Sequence, residues 1–114
     1  MTAVNTDVDE PASGDVPLSD VLAALAEPGR LATVALLADF GPQTCKGIPE
    51  QIGQDWGKST LSHHLRVLRE AGLTHTQVQG AYRLVSLRRD ELEERFPGLL
   101  AAVLAGSRAA APAS

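Results

Sequence analysis

The fold of this chain is decided by the stretch Ser59-Thr60-Leu61-Ser62-His63-His64-Leu65-Arg66-Val67-Leu68-Arg69-Glu70-Ala71-Gly72-Leu73, in which leucine recurs at helical spacing. At about 100° per residue, Leu61, Leu65 and Leu68 fall on one side of an α-helix. Gly72 can adopt the left-handed conformation that commonly ends a helix. The stretch therefore predicts an amphipathic helix over about Ser59–Ala71.

The side of this helix opposite the leucines is polar and basic. Ser59, His63 and Arg66 lie nearly opposite the stripe, with Ser62 to one side and Lys58 at the N-terminal edge. Small side chains let a helix approach a DNA groove, hydroxyls and Lys bind phosphates, and Arg and His reach base edges. The same pattern also fits the solvated face of any amphipathic helix, so the face alone leaves both interpretations open.

The preceding sequence predicts three further helices. A first helix is expected from Ser19, a good N-cap residue, to Pro28, which ends it and can begin the next helix. The second helix is expected to reach about Asp39, where Phe40-Gly41-Pro42 stops it. A short third helix is expected over Pro49–Gln54.

The following sequence predicts a hairpin and a last helix. Leu73–Gln79 and Ala81–Leu87 predict two strands around a tight turn at Gln79-Gly80. The last helix is expected from about Arg89-Asp90 onward, kinked or split at Pro97. The predicted order is α-α-α-α-β-β-α, mainly α with a β-hairpin (α+β). This is the winged helix-turn-helix plan.

The leucine-containing stretch resembles the recognition helix of the ArsR-type family of bacterial winged-helix regulators. That family typically shows Ser-x-x-Ser-x-His-Leu-x-x-Leu-x-x-Ala-Gly-Leu. The matching positions here are Ser59, Ser62, His64, Leu65, Leu68, Ala71, Gly72 and Leu73. The segment Leu25–Leu31 is similar to the family's Leu-Ala-(Asp/Glu)-Pro-x-Arg-Leu. With the hairpin, the resemblance covers roughly residues 18–104.

The resemblance implies a dimer that binds double-stranded DNA and is often a repressor released by a metal ion or another signal. Its first and last helices would form the subunit interface, with the apolar side chains Leu22, Leu25, Leu99, Leu100, Val103 and Leu104. The DNA-binding residues expected on the fourth helix and the wing are Lys58, Ser59, Thr60, Ser62, His63, Arg66, Arg69 and Arg83.

Charge and composition divide the chain into three parts. The net charge is −4, but residues 1–20 contain five acidic and no basic side chains. Residues 56–89 contain six basic side chains against Glu70 alone, a basic stretch that suits DNA. We predict a disordered acidic arm (1–17), a winged helix-turn-helix domain (18–104) and a disordered, low-complexity tail (105–114).

The chain departs from the family pattern in three places. The turn before the fourth helix is longer than usual and contains Trp56. The wing tip, residues 77–81, lacks the Arg that the family often places there, so Arg83 is expected to contact the DNA backbone instead. The family's thiolate sensors carry paired cysteines, whereas this chain has only Cys45, which is expected to be a small buried residue.

Without a thiolate site, no cofactor is required, but a divalent metal such as nickel or zinc remains a candidate signal. Its candidate nitrogen and oxygen ligands are His63, His75, Asp90, Glu93 and Glu94. The acidic side chains fit a solvated helix face equally well. His64, at the flank of the leucine stripe, is expected to be a partly buried, hydrogen-bonded histidine rather than a ligand.

The predicted function is transcriptional regulation by a homodimer on a near-palindromic operator. The absence of a signal peptide and of a membrane-length apolar run, together with a single cysteine, predicts a cytoplasmic protein. We find no nucleophile motif and no phosphate-binding loop in the sequence, so it does not support an enzyme. Two alternatives stay open: a regulator with a non-thiolate metal site, and a protein-interaction module with weak DNA binding. A protein co-regulator is a further candidate partner.

Overall fold

The computed structural model of this protein describes residues 16–109 and contains six helices and three strands in that range. The helices are α1 (Leu18–Leu25), α2 (Pro28–Phe40), α3 (Ile48–Gln51), α4 (Lys58–Glu70), α5 (Arg89–Arg95) and α6 (Leu99–Ala109). The strands are β1 (Gln43–Thr44), β2 (Thr74–Gln79) and β3 (Tyr82–Leu87). The predicted winged helix-turn-helix fold is confirmed, with corrections at three elements.

The wing is part of a three-stranded antiparallel sheet rather than an isolated hairpin. Its strand order is β1-β3-β2, and Gln43 lies opposite Val85. Sequence patterning missed β1 because two polar residues show no alternation. The short third helix also differs: a 3₁₀ turn over Cys45–Gly47 leads into α3, which ends before the predicted Gln54.

The predicted last helix is split into α5 and α6. Pro97 lies between them, and Gly98 follows with a φ of +82°, a conformation that disfavours a side chain. The N–H of Gly98 donates to both carboxylate oxygens of Glu93, at 3.4 and 3.3 Å. The break is therefore a defined turn that is stabilised by the hydrogen bonds to Glu93.

The two N-terminal helices begin differently. The predicted N-cap Ser19 is wrong, because α1 begins one residue earlier and its cap position, Pro17, makes no side-chain hydrogen bond. In α2, Pro28 is the first helical residue, as predicted, and Glu27 Oε1 accepts from the N–H of Arg30 at 2.9 Å. Glu27 thereby satisfies one of the unpaired N–H groups at the helix start.

The core lies between the helices and the inner face of the sheet. Its largest fully buried apolar side chains come from α1, α2, α3, α4, the α4–β2 connection and β3: Val21, Val34, Ile48, Leu68, Leu73 and Val85. Burying each side chain of this size contributes about 1.5–3 kcal/mol. The core thereby fixes α4 against the sheet and leaves its other side outward.

The domain boundaries are wider than predicted. Val16, assigned to the arm, is only 6% exposed, and Arg95 donates to its carbonyl at 2.7 Å. At the other end, α6 continues past residue 104 to Ala109, and Arg108 forms an ion pair with Asp39 of α2. The remaining residues of the predicted arm and tail, 1–15 and 110–114, lie outside the described range.

Half of the apolar set predicted for the dimer interface belongs to the core of the subunit itself. Leu25, Leu100 and Leu104 are each 6% exposed, because they pack against the other helices. Leu22 is 45% exposed, and one turn earlier Leu18 is 43% exposed. The three buried leucines are thus core residues of the subunit, and their part in a dimer interface stays a prediction.

The helices of the described range are short. No single one is long and apolar enough to cross a membrane. Helices α1 and α2 reach that length only together, and the chain bends by 99° between them.

Candidate nucleic-acid interface

Helix α4 has an apolar inner side and a fully exposed polar outer side. Leu65 and Leu68 are buried and Leu61 is half-buried, which confirms the predicted stripe. Glu70 is exposed at the C-terminal end of the helix. The six polar residues exposed over the rest of the helix are Lys58, Ser59, Thr60, Ser62, His63 and Arg66. These residues form what we call the α4 face, a surface free to meet a groove.

The N-terminus of α4 is open. Its cap residue, Gly57, has extended backbone (φ −74°, ψ 177°) and offers no side chain to the first N–H groups. Lys58, the first helical residue, is exposed beside them. Unpaired N–H groups and a nearby ammonium attract anions, so this end of the helix suits a phosphate of the DNA backbone.

The wing begins directly at the C-terminus of α4. Gly72, with a φ of +78°, ends the helix as predicted, and the N–H of Leu73 donates to the carbonyl of Leu68 at 3.0 Å. This pattern, a Schellman motif, fixes the angle at which β2 leaves the helix. At the far end of the hairpin, Tyr82 lies opposite Gln79 and is 64% exposed.

A cluster of side chains ties α4 to the N-terminal helices. The Arg30 guanidinium lies 3.0 Å from His64 Nδ1, and its Nε donates to the carbonyl of Ala24 at 2.7 Å. Because Arg has no acceptor, Nδ1 must accept, which leaves the proton on Nε2 of a neutral ring. The prediction of a hydrogen-bonded, partly buried His64 is confirmed.

The electrostatics of His64 favour the neutral ring. Burial lowers its pKa below the ordinary value for histidine; Glu27 acts in the opposite direction, and Arg30 and His63 lower the pKa further. Glu27 Oε1 is 4.0 Å from His64 Nδ1, too far for a hydrogen bond. This carboxylate therefore does not hold the ring protonated, and Arg30 remains its direct partner.

Trp56 closes the same cluster from the turn before α4. Its ring centroid lies 4.4 Å from that of His64, with the planes inclined by 32°. It also lies against Gly29, where a Cβ atom would come within 2.3 Å of Trp56 Cζ2. Only glycine permits this approach, so the longer turn is anchored on the start of α2.

Comparison with known proteins agrees with this geometry. Residues 19–77 match the family model described as a helix-turn-helix domain. The uncharacterized HTH-type transcriptional regulator YceK of Bacillus subtilis is 34% identical over 90 residues, covering 77% of this chain and 87% of the relative. The crystal structure of a "possible transcriptional regulator for arsenical resistance" is 33% identical, with a TM-score of 0.59, covering 76% of this chain and 82% of that chain.

The chain belongs to the ArsR-type family of helix-turn-helix transcriptional regulators. The transcriptional repressor BigR from Xylella fastidiosa is also similar, with 29% identity and a TM-score of 0.56, covering 69% of this chain and 85% of that one. The regulator is therefore a DNA-binding protein, and its α4 occupies the position of the recognition helix in the helix-turn-helix.

Two arginines predicted to bind DNA lie differently from the α4 face. Arg69 of the regulator is half-buried, and its Nε is buried with no hydrogen-bond partner among residues 16–109. Arg83 is exposed, but it lies opposite Val78 and two residues from the buried Val85, hence on the core-facing side of the hairpin. DNA contacts by Arg69 and Arg83 therefore stay predictions.

Cys45 bears on the thiolate metal sites that the family resemblance implies. Cys45 is its only cysteine, and it is half-buried rather than fully buried. Burial raises the pKa of the Cys45 thiol, against the opposing effects of Arg83 and Arg69. A neutral, solitary thiol is a poor ligand for a soft metal ion, which needs several thiolates.

The predicted nitrogen and oxygen ligands are not brought together within one subunit. Nowhere in residues 16–109 do three His, Cys, Asp or Glu side chains form a group that could hold a metal ion. Glu93 is used by the turn at Gly98. Glu91 accepts two hydrogen bonds of 2.7 Å from Arg88.

Sequence reasoning missed three members of the cluster: Glu27, Arg30 and Trp56. The segment Leu25–Leu31 matched the family pattern, but nothing within it shows that Arg30 faces His64, which is 34 residues away. The contact between Gly29 and Trp56 could not be predicted from this pattern either. A glycine in the first turn of a predicted helix was the available signal, since it implies close approach of another group.

Proposed function

We propose that this regulator acts as a homodimer that binds a near-palindromic operator in double-stranded DNA, with one α4 in each of two major-groove half-sites. The observation that supports this most is the α4 face, whose six polar side chains are all exposed. Half-sites about one helical turn apart would match a two-fold dimer. A regulator of this kind works in the cytoplasm.

The dimer proposal is supported by the apolar surface of α1. Leu18 and Leu22 lie one turn apart on the same face, 43% and 45% exposed. Helix α6 carries Leu99 and Val103, which are half-buried. A small domain that leaves such side chains in water gains free energy by burying them against a second copy.

Sedimentation at low micromolar concentration tests the dimer. The parent protein should sediment as a dimer, and Leu22→Glu, which places a charge in the interface, should shift it towards monomer. Tyr82→Glu is the matched control, because Tyr82 is more exposed but lies on the wing. A monomeric parent would contradict the proposal.

Titration of fluorescent DNA from upstream of the protein's own gene tests the DNA-binding mode. We expect specific binding whose affinity falls steeply with salt, since α4 displaces counterions from phosphates. Binding that is absent for every duplex tested would favour the protein-interaction module. Salt-independent capture of a protein co-regulator would point the same way.

We further propose that no resident cofactor is needed and that any metal response is independent of sulfur. Resistance to arsenicals, named for one similar protein, would require several converging thiolates, whereas two subunits supply only two Cys45 side chains. A nickel or zinc site built from His63, His75, Asp90, Glu93 and Glu94 would need ligands from both subunits. Metal titration of the parent and of Cys45→Ser should therefore give the same result.

A further inference from the structure

The cluster around His64 joins three parts of the molecule at one side chain. Arg30 links the ring to α2 and, through the carbonyl of Ala24, to α1. Trp56 covers the ring from the turn that leads into α4. His64 is therefore held from two directions, by a hydrogen bond on one side and an aromatic contact on the other.

His64 is also placed to control how α4 is oriented. It lies on the flank of the helix, between the buried Leu65 and the exposed His63, whose ring centroid is 5.4 Å away. A rotation of about 20° moves atoms at the helix surface, about 5–6 Å from the axis, by roughly 2 Å. Hydrogen bonds to base edges do not tolerate such a displacement.

We infer that Trp56 is a positioning residue for DNA recognition: with Arg30 it holds His64 from two sides and fixes the rotation of α4. The α4 face itself does not contain Trp56, so the effect is indirect. The inference rests on the proposed DNA binding of α4 and adds a determinant that lies outside the recognition helix.

The shape of the contact supports this role. Trp56 lies over Gly29 so closely that a methyl group there would overlap its Cζ2 atom. An indole packed both against the start of α2 and against an imidazole has little freedom to move. A rigid anchor of this kind transmits the position of α2 to the first turn of α4.

DNA affinity of three variants tests the inference. Trp56→Ala should bind the operator about tenfold more weakly, a loss of the order of one good base contact. Trp56→Phe, which keeps an aromatic ring over His64, should recover most of this loss. Gly29→Ala keeps the indole but displaces it, and should share the defect of Trp56→Ala. Phe40→Ala is the control, since Phe40 is 74% exposed at the distant end of α2.

Fluorescence of the protein without DNA provides a second readout, because Trp56 is the only tryptophan. A protonated imidazole in contact with indole quenches its emission. The charged and titratable groups that face His64 are Glu27 and Arg30 from the start of α2 and His63 from its own helix. The emission should fall as pH decreases through the titration of His64, and His64→Gln should abolish the change while His63→Gln keeps it.

Two results would overturn the inference. One is a folded Trp56→Ala protein that binds the operator as tightly as the parent. The other is parent emission that does not respond to the protonation of His64, a measurement that stands even where Trp56→Ala is unstable. A parent that binds no DNA would instead refute the proposed function, and the two failures are thus distinguishable.

Discussion

Helices α4 and α5 are both rich in charged side chains, but they use them in opposite ways. In α4, Lys58 and Arg66 are exposed and form no ion pair within residues 16–109. At α5, Arg88 is paired with Glu91 at 2.7 Å, and Arg95 donates to the carbonyl of Val16. Charge counted along a sequence is therefore not the charge that a ligand meets.

Because of this difference, the basic surface available to a ligand is smaller than the basic stretch of residues 56–89 indicates. Arg88 is paired with the carboxylate of Glu91, and Arg89 donates to the carbonyl of Ala38. Lys58, Arg66 and Arg83 are exposed and form no side-chain hydrogen bond or ion pair within residues 16–109, whereas Arg89 is exposed but held by that bond. The following predictions test whether the cations of α4 serve DNA while those around α5 serve the fold.

The largest effect is expected for Arg66→Ala. Loss of a base-contacting Arg should weaken specific DNA binding by about 1–3 kcal/mol and relax discrimination at one base pair. Arg89→Ala is the matched control and should bind the operator almost as the parent does. Fluorescence anisotropy at one salt concentration measures the DNA affinity of both variants. Equal losses of affinity would contradict the proposed difference between the cations of the two helices.

A smaller effect on stability is expected for Arg88→Ala. Its ion pair with Glu91 is partly screened, because Glu91 is half-exposed, so the free energy of unfolding should fall by about 0.5–1 kcal/mol. Urea denaturation measures this, and the double variant with Glu91→Gln should lose little more than either single one. Operator affinity should stay unchanged; a tenfold loss would place Arg88 on the DNA surface instead.

Lys58→Ala should change the salt dependence rather than the specificity. We expect a Lys at the open N-terminus of α4 to contact a phosphate, so its loss should weaken binding to all DNA sequences similarly. The slope of log affinity against log salt should become shallower by about one unit. Binding isotherms at several salt concentrations, on operator and on unrelated DNA, measure both quantities. A loss confined to the operator would show that Lys58 reads bases.

The smallest effect concerns pH and His64. Burial lowers the pKa of His64 in the folded protein, so below its ordinary value of about 6.5 the unfolded chain binds a proton that the folded chain does not. The contribution is fully present above that pH, and unfolding free energy should decrease as pH falls below it. Urea denaturation across this range should show a weaker decrease for His64→Gln. An identical decrease in both proteins would assign the pH dependence to other groups.

Local patterns in the sequence were enough to place the recognition helix and the wing. The leucine spacing and Gly72 located α4 to within one residue, because helix periodicity and a left-handed stop depend on neighbouring residues alone. The strands of the wing were equally close to prediction. The outward position of Lys58, Ser62 and Arg66 followed from the same wheel.

The contacts that support α4 could not be predicted in this way. Arg30 and His64 are distant in sequence, and the pairing of Gln43 with Val85 joins two segments with no shared pattern. Arg69 looked like a surface cation, but its Nε atom is buried in the folded structure. Each of these depends on how elements pack together, which a single sequence does not display.

The burial of Val16 has a practical consequence for anyone who shortens the chain. A protein that begins at residue 18, the domain boundary predicted from composition, would lose the Val16 side chain. This side chain lies 3.6 Å from where a Cβ atom on Gly72 would be. The shortened protein would also leave the Arg95 guanidinium without its carbonyl acceptor. Affinity tags and cleavage sites are better placed ahead of Val16, where they leave its packing against the junction between the recognition helix and the wing intact.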